Sequence, residues 1–158
     1  MSVAGSVTRT DVEELIYRTF LTLDARDFEG YLALWSPDLH YSVRAFSPEI
    51  RRDMVWMDLD RSGLETLFRT LGRHNSDPSP LTRHATVCTV ALDVSRQQAT
   101  VVSALQVFRT ELDGGETQLF AVGKVHDTVT LAEGGPRLRA REIRLETRRL
   151  GIGSHIPF

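Results

Sequence analysis

The residues of this chain able to do chemistry are few: one cysteine, five histidines, three tyrosines and 21 carboxylates. The histidines are His40, His74, His84, His126 and His155. No two of them stand three or four residues apart, so no helix presents a pair to a metal ion. No His pair has a nearby carboxylate at the spacing of a 2-His-1-carboxylate iron site either. His126 and Asp127 are adjacent, but neighbours on a strand point to opposite faces. The single Cys88 leaves no disulfide within the chain and no cysteine-held metal or iron–sulfur cluster. Val87 and Thr89 beside it offer no base, so Cys88 reads as a small buried hydrophobe in mid-strand. No glycine-rich loop joins a strand to a helix, which leaves phosphate without a cradle. One enzymatic arrangement stays open. A carboxylate or imidazole in an apolar cavity, with a phenol to hold an enolate, carries out isomerisation or dehydration. Asp24, Tyr17, Tyr31, Tyr41 and His84 are the candidates for that site, with Asp24, Tyr41 and His84 foremost. The alternative is that all five are ordinary edge and core polar residues with satisfied hydrogen bonds.

The elements that would position these residues fall into two halves. From Thr82 to Leu150 four extended runs follow one another: Thr82–Val94, Ala99–Leu112, Thr117–Leu131 and Pro136–Leu150. The breaks between them, Ser95–Gln98, Asp113-Gly114-Gly115 and Glu133-Gly134-Gly135, are hairpin turns. The first run has no purely apolar face, which predicts cover on both faces for part of its length. In the last run, Leu138 and Ala140 have one parity and Ile143 and Leu145 the other. Alternation has period two, so such a switch needs a bulge, placed near Arg141-Glu142. Before the strands come helices. Thr10 and Glu13 have capping-box spacing at the start of the first, and Val12, Leu15, Ile16, Phe20 and Leu23 give it an apolar face. Asp27 caps a short second helix carrying Tyr31, Leu32, Leu34 and Trp35, which Ser36-Pro37-Asp38 ends. His40–Arg44 reads as a short strand, and Phe46–Leu59 as a long loop. Ser62 and Glu65 start a third helix that Gly72 stops. The order α-α-β-α-β-β-β-β with a curved antiparallel meander last is an α+β, cone-shaped roll of the nuclear transport factor 2-like class: three helices on a curved, mostly antiparallel sheet. Phe20, Trp35, Phe108 and Phe120 are large enough to fill such a cone.

The chain has 158 residues, a single domain 1–158 with 1–10 as a flexible arm and 151–158 as a tail. Hydrophobic residues are 41% and the net charge is -2. A general nucleic-acid binder would show a basic face, so nucleic acid is not an expected partner. No apolar run approaches the ~20 residues of a membrane span, and Met1–Thr10 has no apolar signal region. One cysteine fits a reducing compartment, the cytoplasm.

Several segments together resemble the small (beta) subunits of aromatic-ring-hydroxylating, Rieske non-heme iron oxygenases. They are Leu21–Trp35, Asp38-Leu-His-Tyr41-Ser-Val43, Thr82-Arg83-His84 with Val87 and Val90, Gly123-Lys-Val-His-Asp127, Arg141-Glu142-Ile-Arg-Leu145, and the ending Pro157-Phe158. Thr89, the pair Lys124-Val125, and Glu146 depart from the family pattern. The resemblance implies a non-catalytic assembly component of an aromatic hydrocarbon oxygenase, without a catalytic, cofactor or metal site of its own. It implies a trimer of small subunits beneath three large (alpha) subunits, a hexamer whose large chains carry the Rieske 2Fe-2S cluster and the mononuclear iron. The stand-alone alternative is an isomerase or dehydratase of the ketosteroid-isomerase or scytalone-dehydratase type.

A chain that works through assembly must do so with its outer surface. The strands carry Arg83, Arg109, Arg137, Arg139, Arg141, Arg144 and Arg148, with Glu142 and Glu146 interleaved. Arg–Glu alternation suits pairing across a symmetry axis. Apolar residues also stand in the Phe46–Leu59 loop and in the tail. Met54, Trp56, Arg83, Arg141, Glu142, Ile156 and Phe158 are therefore the expected interface residues.

Overall fold

The computed structural model describes residues 6–74, 78–150 and 157–158, with the backbone alone for 72–74. Helix α1 spans Arg9–Asp24, α2 Phe28–Ala33 and α3 Arg61–His74. The strands are β1 Trp35–Ser47, β2 Arg52–Asp60, β3 Leu81–Asp93, β4 Gln98–Thr110, β5 Thr117–Thr130 and β6 Arg137–Leu145. They form one sheet in the order β2-β1-β6-β5-β4-β3. The β1–β6 pair is parallel and the other four pairs are antiparallel. This is the expected α+β roll, with the helices on the concave face.

Several element boundaries differ from the sequence reading. Thr8 caps α1, not Thr10: its hydroxyl accepts from Asp11 N–H at 3.2 Å, and the Asp11 carboxylate accepts from Thr8 N–H at 2.7 Å. The helix therefore begins inside the segment read as a flexible arm. Asp27 does cap α2, accepting from Gly30 N–H at 2.9 Å. Trp35, however, opens β1 and is not helical. Pro37 is tolerated because β1 leaves register with β6 between Trp35 and His40, where no ladder N–H is needed. The stretch read as a loop holds β2, which pairs with β1 from His40–Asp60 to Ser47–Arg52. In α3, Asp60 accepts from Gly63 N–H at 2.8 Å, ahead of the expected Ser62 cap, and Gly72 does not stop the helix.

The sheet curls because its ladders are interrupted. The register shifts leave Trp56 of β2, Cys88 of β3, Phe120 of β5 and Arg139 of β6 as extra residues opposite their partner strands. Each such bulge bends its strand and tightens the local twist. The bulge in β6 is of the expected kind but lies two residues earlier than Arg141. The predicted double cover of β3 does not hold either. It is an edge strand with much of its length exposed, and Cys88 is exposed with it, not buried.

Inside the cone, Val12, Leu15, Ile16, Phe20 and Leu23 of α1 meet Tyr41, Val43, Val101, Leu105, Val125 and Ile143 of the sheet. Trp35 is fully buried between Tyr31 and Tyr41, in edge-on contact with ring centroids 5.9 and 6.4 Å away. Of the four aromatic residues expected to fill the cone, Phe20 and Trp35 are buried, and Phe120 is partly buried against the core. Phe108 instead lies against His84, 5.3 Å between ring centres.

Candidate functional site

Two regions hold the residues singled out above: the cone interior and the outer surface with the β1–β2 hairpin. The interior is built around Arg141. Its parity matches Ile143 and Leu145, and the bulge at Arg139 turns all three inward. Arg141 Nε donates to Asp127 Oδ1 at 2.8 Å, and Nη2 donates to Asp127 Oδ2 at 3.1 Å and to Thr19 Oγ1 at 2.9 Å. The guanidinium lies 4.7 Å from the Phe20 ring centre. Both side chains of the pair are 0% exposed. Burial pushes the Asp127 carboxyl up while Arg141 pulls it down. The two-pronged hydrogen bonding is the geometry in which an ionised pair offsets its desolvation.

A second cation lies further along. Asp24 Oδ1 accepts from Arg83 Nη1 at 2.7 Å, and both Asp24 oxygens lie 3.2 Å from the Arg83 backbone N–H. Arg83 Nη2 donates to Pro157 O at 2.6 Å. Phe158 N–H donates to the Tyr41 hydroxyl at 2.8 Å, and burial pushes that hydroxyl's pKa well up.

This geometry does not assemble the enzymatic alternative. Asp24 is engaged by Arg83, and Tyr41 is engaged by Phe158. His84 is the next residue to Arg83 on β3, so it points to the opposite face. Tyr17 accepts from Val87 N–H at 3.0 Å and is tied to the edge strand. Among the described residues, no group of three His, Cys, Asp or Glu side chains comes together around a common centre.

The expected interface residues divide. Arg141 and Arg83 are core residues, with side chains 0% and 1% exposed, so neither reaches a partner. Sequence reading missed this because it counted strand arginines as outward. The parity of Arg141 with Ile143 was the available signal. Phe158 is buried within its own chain, which corrects its assignment to a neighbour. Ile156 lies outside the described residues. Glu142 is partly exposed and sits 2.6 Å from Arg144, which also bonds Asp53 at 3.1 Å. Arg148 pairs with Glu49, and Arg139 with Asp38. These outer pairs close within the chain.

The hairpin is different. Phe46, Ile50, Val55 and Trp56 are 42–56% exposed, with Met54 half-buried beside them. Trp56 lines an open groove between β2 and α3 together with Leu59 and Leu67. A cluster of large apolar side chains on one hairpin is unusual for a surface facing only water.

The profile described as ring hydroxylating beta subunit matches residues 19–151. The chain belongs to the ring-hydroxylating beta subunit family. The beta subunit of methanesulfonate monooxygenase hydroxylase from Methylosulfonomonas methylovora is 44% identical, over 93% of this chain and 85% of that protein. The beta subunit of 2-aminobenzenesulfonate 2,3-dioxygenase from an Alcaligenes species is 32% identical, over 93% of this chain and 97% of that one. A naphthalene 1,2-dioxygenase structure superposes with a TM-score of 0.78 at 16% identity, over 95% of this chain and 85% of that chain. That likeness is one of fold, and the fold is the nuclear transport factor 2-like roll. This beta subunit does not itself have the residues for a Rieske cluster, which needs two cysteines and two histidines, whereas Cys88 is its sole cysteine. Among the described residues, no helix is long and apolar enough to cross a membrane.

Proposed function

We propose that this beta subunit is the non-catalytic assembly component of an oxygenase that acts on a sulfonate. The observation that carries the proposal is the 44% identity, along most of both chains, to the beta subunit of methanesulfonate monooxygenase hydroxylase. The 2-aminobenzenesulfonate dioxygenase beta subunit points to the same substrate group. In this reading the chain trimerises and supports three large subunits, which hold the Rieske cluster and the mononuclear iron. The complex works in the cytoplasm, where the exposed Cys88 thiol stays reduced. The hairpin residues Met54, Val55 and Trp56 make contact with a neighbouring subunit, and the closed interior supplies rigidity.

The test is reconstitution. The chain is co-expressed with its large-subunit partner and supplied with an electron-transfer chain, and oxygen uptake is followed with methanesulfonate and with 2-aminobenzenesulfonate. Sulfonate-dependent uptake that needs both subunits supports the proposal. Uptake driven only by an unsulfonated arene would overturn the substrate assignment, and full activity of the large subunit alone would overturn the assembly role.

A further inference from the structure

The inner face of the cone contains a prepared site with an occupant from its own chain. Tyr41 lies on β1 and Arg83 on β3, four strand spacings apart in the sheet order. On a flat sheet that separation would be ~19 Å, from the ordinary spacing of neighbouring strands. Two residues of extended chain span only ~7 Å. Yet Pro157–Phe158 touches both, with Phe158 N–H on the Tyr41 hydroxyl and Pro157 O on Arg83 Nη2. The curl of the sheet and two long inward side chains bring the donor and the acceptor to one point.

Contacts that do not involve the segment hold both side chains. Asp24 grips the Arg83 guanidinium through Nη1 and leaves Nη2 for a guest oxygen. Trp35 packs edge-on against the Tyr41 ring. Phe120 supplies an aromatic wall whose ring centre is 6.1 Å from that of Phe158. The Phe158 side chain itself is buried among core residues.

We propose that Tyr41, Arg83 and Phe120 form a binding site for a small aromatic compound carrying a carbonyl or carboxylate oxygen, and that Pro157–Phe158 occupies it as an intramolecular ligand. The ring enters the apolar slot, the oxygen takes Arg83 Nη2, and the Tyr41 hydroxyl accepts an N–H or donates to a second oxygen. This site does not depend on the identity of the oxygenase or of its substrate.

The experiment uses the full chain in the oligomeric state in which it purifies. N-acetyl-L-phenylalaninamide is titrated calorimetrically into the wild-type protein and into a variant lacking Pro157 and Phe158, since the oxygen and the N–H that fill the site belong to the backbone. The expected result is no saturable binding to the wild type, millimolar or tighter binding to the shortened chain, and at least a several-fold loss when Tyr41→Phe is added. A folded shortened chain that fails to bind, or binds no better than the wild type, overturns the proposal. Should the shortened chain not fold, amide exchange at Phe158 of the wild type is followed with and without the compound in large excess. Exchange that speeds severalfold supports competition for the seat, and an unchanged rate overturns the proposal.

Discussion

At the scale of single residues, the Arg141–Asp127 pair sets the character of the interior. Neither side chain touches water, and the Arg141 guanidinium also holds Thr19 of α1. Removing one partner leaves an uncompensated buried charge, at a cost of about 3–5 kcal/mol. Arg141→Met should therefore lower the unfolding free energy by that amount in urea titrations. The double variant Arg141→Met/Asp127→Leu should recover most of the loss, because no charge is then left buried. A surface pair behaves differently. The hydrogen bond from Arg148 holds the Glu49 carboxyl down at about 2, with help from its own backbone and Ser47. Because the folded value lies below the unfolded one, this contact contributes fully above the ordinary value of 4.5 and is lost as pH falls through about 2. NMR titration of the Glu49 carboxyl should show a midpoint near 2 that returns toward the ordinary carboxylate range in Arg148→Ala.

At the scale of elements, β5 and β6 approach so closely at Gly123 that a Cβ there would lie 2.3 Å from the backbone oxygen of Arg144. No side-chain rotation relieves a clash with backbone, so Gly123→Ala must push the two strands apart. A loss of about 1–3 kcal/mol is expected from overpacking of this kind, read from the shift in the denaturant midpoint. The β1–β2 hairpin should respond in the opposite way. Val55 and Trp56 are well exposed, so Val55→Lys/Trp56→Ser should leave the stability of the isolated chain within about 0.5 kcal/mol per site. The same pair of changes should abolish co-purification with the large subunit. Unimpaired co-purification would remove the hairpin from the interface.

At the scale of the whole molecule, assembly is the property to measure. Light scattering on the co-expressed complex should give three small and three large chains. Metal analysis should find iron only in preparations that contain the large subunit. The outer ion pairs Arg144–Asp53, Arg148–Glu49 and Arg139–Asp38 close within one chain, and exposed pairs of this kind contribute at most ~1 kcal/mol each. On the proposed hairpin interface, whose residues are apolar, raised salt should therefore leave the oligomer largely intact.

Local pattern was enough to find the helices, the four long strands from Thr82 onward, the need for a bulge in the last of them, and the family. Those features depend on local periodicity, on turn residues such as Asp113-Gly114-Gly115, and on ordered short motifs. Tertiary structure decided which residues face inward. Alternation assigns a face only relative to the nearest bulge, so shifting that bulge by two residues moved Arg141 from the expected surface to the core. Its partner Asp127 is brought opposite it only by the pairing of β5 with β6. The strand nature of Arg52–Asp60 was hidden for a similar reason. It is an edge strand whose mixed exposure shows no clean alternation, and pairing with β1 defines it. The seat of Phe158 could not be read locally at all, because Tyr41 and Arg83 stand 117 and 74 positions from the residues they hold, and only the curl of the sheet brings them together.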